Sequence, residues 1–194
     1  MAEGSMRQQW VWPTVLVAVV LTAAASLLAR ELYADERAAP PPSAVLPSEG
    51  SLPAAEQPGH RDVRGTQDAI QHPMYETVRQ LLQTYFDAIN GKNYARWQTT
   101  VTADRIKNMP EATWRASYRS TLDGSIVLYR IDTGPEDSAR VMLRFISKQD
   151  VADAPLELPV ECIRWSVVFP MTVEDDVWKL AGGPTGASPQ HEAC

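Results

Sequence analysis

Hydrophobic positions along this 194-residue chain change their period three times. From Trp10 to Ala29 (WVWPTVLVAVVLTAAASLLA) they run almost unbroken, with no charged residue among them. From Ala38 to His60 they thin out among Pro40, Pro41, Pro42, Pro47, Pro53 and Pro58. Between Asp68 and Asn90 they return at helical spacing: Val78, Leu81, Leu82, Tyr85, Phe86 and Ile89 form one stripe, and Arg79, Gln80, Gln83 and Asp87 lie off it. After Asp123-Gly124 the period falls to two.

The stripe predicts a helix over 68–90, stopped at Asn90-Gly91 because both residues tolerate a left-handed conformation. Asn93 can cap a second, short helix carrying Tyr94 and Trp97. Pro110 opens a third over 110–120. Alternation predicts four strands, 124–132, 138–148, 158–171 and 176–181, with turns at Gly134-Pro135, 153–155 and Glu174-Asp175. Val141, Leu143 and Phe145 oppose Arg140, Met142 and Arg144, while Ile163, Trp165, Val167 and Phe169 make the core face of the third strand. One packed face and one wet face fit an antiparallel sheet. Helices followed by strands give an α+β domain: three helices laid on a strongly curved, mainly antiparallel four-stranded sheet.

Residues 10–29, as a helix, would rise about 30 Å, the thickness of a bilayer's hydrocarbon core. Trp10 and Trp12 at one end and Tyr33 beyond the other suit the two interfaces, and Pro13 falls in the first turn, where its missing N–H costs little. The resulting layout is a short tail (1–9), a transmembrane helix through the lipid bilayer (10–29), an extended proline-rich stalk (30–67), a globular domain (68–183) and a tail (184–194). The competing reading is a signal peptide with Arg7 in its charged region and cleavage after Ala25, which would release the same domain as a secreted protein. Lys and Arg counts do not decide the orientation. The stalk and the cysteines favour a domain outside the cytoplasm.

Charge narrows the function classes. The net charge is -6, and residues 61–194 hold 15 Lys and Arg against 18 Asp and Glu. No basic run exists to displace counterions from phosphates, which argues against a nucleic-acid partner. The excess of Arg over Lys, 14 to 4, with abundant Ala and Pro, fits a GC-rich, actinobacterial type of genome. Cys162 and Cys194 form no CxxC pair and follow no lipobox, which excludes thioredoxin-like, zinc and lipoprotein readings. A Cys162–Cys194 bridge would pin the tail to the sheet, closing a loop of about 33 residues worth roughly 3–4 kcal/mol, and would place the domain in an oxidising compartment. The alternative is a buried thiol and a frayed terminal one. His60, His72 and His191 fall in the stalk, at the leading edge of the domain and in the tail, away from any acid partner, so neither a metal site nor a His–Asp dyad is expected. No HExxH, GxSxG, P-loop or GxGxxG occurs, and no cofactor is implied.

The stretch VRQLLQTYFDAINGKNYARW (78–97), followed by helices and four long strands ending in VWKLAGG (177–183), resembles the nuclear transport factor 2-like (SnoaL-like) superfamily. The resemblance implies a cone: a curved sheet wrapped round helices, with a pocket at its mouth and a tendency to form homodimers through the open sheet face. It places Tyr85 where the ketosteroid isomerase branch carries an oxyanion-hole tyrosine, and leaves Asp104 as the one candidate for that branch's base. No second acid accompanies it. Membrane-anchored actinobacterial members share the whole layout.

Two functions follow. The first is a non-catalytic, membrane-anchored extracytoplasmic interaction domain, an accessory component of a secretion, transport or cell-envelope complex with protein partners. The second is a binder of lipid or polyketide-like small molecules, or a cyclase/isomerase-type enzyme, using a pocket that Tyr85, Trp97, Arg130, Arg144 and Arg164 would line. An acid within reach of Tyr85 would support the second, and an interior filled by Trp97, Trp114 or Trp165 would remove it.

Overall fold

Where the chain alternates, it forms strands: β2 (Leu122–Thr133), β3 (Ser138–Lys148), β4 (Cys162–Glu174) and β5 (Val177–Leu180). They pair in that order as antiparallel neighbours. The computed structural model describes residues 52–53, 56–183 and 189–194. The 10–29 segment and most of the stalk lie outside the described residues, among which no helix is long and apolar enough to cross a membrane. Residues Leu52–Cys194 constitute one folded unit.

β3 has the bounds its alternation predicts. β4 starts at Cys162 rather than 158, because Leu158-Pro159 turns instead of pairing, with Leu158 N–H on the Pro155 carbonyl. β4 then continues through Pro170, whose carbonyl accepts from Ala181 N–H. The β4–β5 turn is a two-residue hairpin in which Asp175 and Asp176 both have positive φ, as such turns require.

Two further strands make the sheet six-stranded and mixed, not four-stranded. β1 (Arg64–Gly65) runs parallel to β2, and β6 (Gln190–Ala193) pairs antiparallel with the start of β4. β6 is held by the Cys162–Cys194 disulfide, whose Cα atoms are 5.4 Å apart. The bridge therefore forms, and the four residues before Cys194 are a strand.

Residues 56–67, assigned to the stalk by composition, belong to the fold. Val63 is buried, and Ser125 donates to the Pro58 carbonyl while its N–H binds the His60 carbonyl. The segment lies so close to β2 that a Cβ on Gly124 would fall 2.6 Å from the Pro58 oxygen. Proline content hid this docking, which needs a glycine on the opposite strand.

The helix predicted over 68–90 is broken. α1 (Gln67–Ile70) and α2 (Tyr75–Asn90) flank Pro73, which lacks the N–H a continuing helix would need. Met74 N–H instead binds His72 Nδ1. α2 ends at Asn90 as expected, but the left-handed residue is Lys92, with Asn93 N–H on the Ala88 carbonyl and Lys92 N–H on that of Ile89. That is a Schellman motif with a lysine in the glycine position. α3 (Tyr94–Gln98) is capped by Asn93, α4 (Ala103–Asn108) by Thr102, and α5 (Glu111–Ser117) follows Pro110.

The core lies between these helices and the inner sheet face. Val78, Leu82, Phe86 and Ile89 of α2 meet Ile126, Leu128, Val141, Leu143, Val167 and Leu180. The β5 edge is sealed by the chain before α4: Leu180 N–H binds the Thr100 carbonyl, and Thr102 N–H binds that of Leu180.

Candidate functional site

The interior is packed with aromatic rings. Trp97 of α3 and Trp114 of α5 are fully buried, 5.9 Å apart, and Tyr94 stacks on Trp97 at 5.5 Å. The Tyr94 hydroxyl donates to the Met109 carbonyl, but the indole N–H groups of Trp97 and Trp114 have no acceptor among the described residues. A buried polar hydrogen without a partner is costly. Here two occur together.

A second aromatic group continues from this interior to the protein surface. Rings contact one another from Tyr85 to Phe86, Phe86 to Phe145, Phe145 to Trp165 and Trp165 to His191, at centroid distances of 5.3, 5.0, 6.4 and 4.9 Å. Phe169 packs edge-on against Tyr85. Tyr118, Phe145, Trp165 and Phe169 are only partly buried and form an open rim.

Arg105 of α4 reaches into this group. Its guanidinium carbon lies 5.3 Å from the Tyr85 ring centre, 5.7 Å from Phe169 and 5.9 Å from Trp97, and its Nη2 donates to the Tyr85 hydroxyl at 2.9 Å. Aromatic faces attract a cation but supply no hydrogen-bond acceptor in the guanidinium plane. Among the described residues no carboxylate pairs with it. Among the described residues its Nε and Nη1 have no partner either, and they are not fully buried. Beside it, burial and then the neighbouring Tyr85 hydroxyl hold the Tyr118 proton on well above the ordinary phenol range. Tyr118 is therefore a neutral hydroxyl at physiological pH.

The five residues singled out as pocket-lining separate into two sets. Tyr85 and Trp97 meet at Arg105. Arg130, Arg144 and Arg164 lie on the opposite, outer sheet face: Arg130 pairs with Asp132, Arg144 donates to Ser166 and covers the Tyr129 ring, and Arg164 pairs with Glu192. The sheet keeps them from Tyr85. Asp104, the candidate base, is exposed and accepts from Asn108, while its neighbour Arg105 turns inward. The group at the Tyr85 hydroxyl is thus a cation, not an acid. Arg105 could have been found from its spacing: Arg105, Ile106 and Met109 stand at i, i+1 and i+4, one side of a short helical turn, and Arg105 is the single charge among them.

One other buried group escaped the sequence reading. Asp123 at the start of β2 is almost fully buried. Its backbone N–H and carbonyl both bind the Asn90 side-chain amide, and its carboxylate accepts from Ser147. Burial pushes its carboxyl up to about 6, opposed by the Ser147 hydrogen bond and the charge of Lys92. Elsewhere the surface carries two open clefts. One of about 390 Å³ lies between Asp68, His72, Arg130 and Asp132, and one of about 290 Å³ lies between Leu81, Thr84, Thr99 and Trp178. Neither adjoins Arg105. Among the described residues no group of His, Cys, Asp and Glu is arranged to hold a metal ion. No protein-family model and no curated protein matches this chain.

Proposed function

We propose that this chain is a non-catalytic interaction domain, anchored by residues 10–29 and displayed outside the cytoplasm, with the cone-like architecture of the nuclear transport factor 2-like superfamily. It serves as an accessory component of a secretion, transport or cell-envelope complex. The observation that carries the interaction reading is the rim: partly exposed Phe169 lies against Arg105, and partly exposed Tyr118, Phe145 and Trp165 extend the aromatic surface, in front of an interior that Trp97 and Trp114 fill. Tyr, Trp, Phe and Arg are the residues that dominate the centres of protein interfaces. The disulfide supports the location, since such bridges persist in oxidising compartments.

The test is co-purification of the full chain from its native membrane in mild non-ionic detergent, with the rim intact and with Trp165→Ser. A defined stoichiometric partner is expected, and it should be lost or sharply depleted with the variant. A lone monomer from the intact chain, or equal partner recovery from the variant, would defeat the reading.

A further inference from the structure

The region around Arg105 is rich in hydrogen-bond donors and poor in acceptors. The guanidinium offers five N–H groups, and the described residues use one of its nitrogens, through the Tyr85 hydroxyl. Nε and Nη1 have no partner among the described residues and are not fully buried. Close by, the Trp97 indole N–H is buried with no acceptor. Half-buried arginines are ordinarily satisfied by carboxylates, because a guanidinium out of bulk water needs both countercharge and acceptors. The other arginines singled out show that ordinary behaviour where an acid is near: Arg130 has Asp132 and Arg164 has Glu192. Arg144, over the single Tyr129 ring on the outer sheet face, has the Ser166 hydroxyl instead, whereas Arg105 lies against three rings.

We propose that Arg105 is a recognition site for a carboxylate borne on an apolar group, with the anion on the guanidinium and the apolar part against Phe169 and Tyr118. This rests on the reading of the rim as the interaction surface and names the chemistry of what binds there. The geometry selects a monoanion. One fixed positive charge stands at the site, and a doubly charged phosphate would find no second cation among the residues packed round it. The rings favour an apolar neighbour over a hydrated one, and the Tyr85 hydroxyl takes only one of the two N–H groups of Nη2, so the other, with Nε or Nη1, leaves one edge on which a carboxylate can take two parallel N–H bonds. A peptide's terminal carboxylate beside an apolar side chain and a short fatty acid both meet this description.

The test is a titration of the oxidised full chain in dodecyl maltoside, followed by tryptophan fluorescence, with N-acetyl-leucine and its neutral twin N-acetyl-leucinamide. The two carry the same apolar side chain and differ in the charge. The acid should bind at least tenfold more tightly than the amide, and Arg105→Gln should abolish that difference. Hexanoate distinguishes the sources: tighter binding of N-acetyl-leucine points to a peptide end, tighter binding of hexanoate to an acyl chain, and either supports the shared chemistry. Equal responses to acid and amide in the unaltered chain would overturn the proposal without need of any variant. So would Arg105→Gln keeping the preference while its fold, checked by circular dichroism, is intact. If acid and amide bind alike while the membrane partner is still captured through the rim, the carboxylate inference falls and the interaction reading stands.

Discussion

Two aromatic groups sit side by side in this domain and do opposite things. Trp97 and Trp114 are fully buried and in contact with each other. Tyr118, Phe145 and Trp165 stay partly exposed, and a strand that a disulfide fastens lies beside Trp165. The residue types are the same. What differs is the company: the interior rings are set within α3 and α5, whereas Phe145, Trp165 and Phe169 project from β3 and β4, two of them against the edge of α2, and Tyr118 stands just past the end of α5. The contrast separates the part of the molecule that supplies stability from the part left available for contact.

The largest test of this contrast is Trp114→Ala. Removing a fully buried tryptophan should cost about 3–5 kcal/mol, whereas Trp165→Ala at the rim should cost roughly 2 kcal/mol, since part of its surface is already exposed. Urea unfolding followed by circular dichroism measures both, and equal losses would erase the distinction. Next comes the clasp. Replacing Cys162 and Cys194 together by serine should destabilise the domain by about 3–4 kcal/mol. Amide exchange should rise first along Ile163–Ser166, where β6 pairs, and not in α2; uniform acceleration would mean that the rim is part of the main cooperative unit.

A smaller effect concerns pH. The Asp123 carboxyl lies at about 6 in the folded chain, above its value when exposed. Between roughly pH 4 and 6 the folded state therefore holds a proton that the unfolded state has released, and this group's contribution to stability declines as pH rises through that window, by about 2–3 kcal/mol in total. Asp123→Asn should flatten that decline in unfolding measurements at pH 4, 5, 6 and 7. An unchanged slope would assign the dependence to other groups. Smallest is Arg105→Gln, expected to alter stability by only about 1 kcal/mol, the worth of its contacts to the rings. A loss of several kcal/mol in the same unfolding assay would instead make Arg105 part of the closed interior.

The strands were legible because turns and alternation agree: β3 runs from Ser138 to Lys148 in both readings. The outer-face arginines also follow from alternation, since Arg140 and Arg144 share a face opposite Val141 and Leu143. What a local pattern could not reveal depends on distant chain. β6 has no apolar alternation in Gln190–Ala193, and its pairing comes from a cysteine 32 residues away. Residues 56–67 look like stalk because their burial relies on Gly124. The Pro73 break was readable and was outweighed by the length of the apolar stripe. Asp104 drew attention as an acid in a helical turn, yet the inward residue is its neighbour, which one step of 100° around α4 decides.

The Cys162–Cys194 bond also alters the covalent path through the molecule. A cleavage anywhere between Ile163 and Ala193 would leave both fragments joined. Tension applied at the carboxyl end passes straight to the first residue of β4, which lies between β3 and β6 in the sheet, and bypasses β5 and the connection that follows it. About 110 Å of extended chain is thereby withheld from any pull on the tail. Only a reductant releases that length.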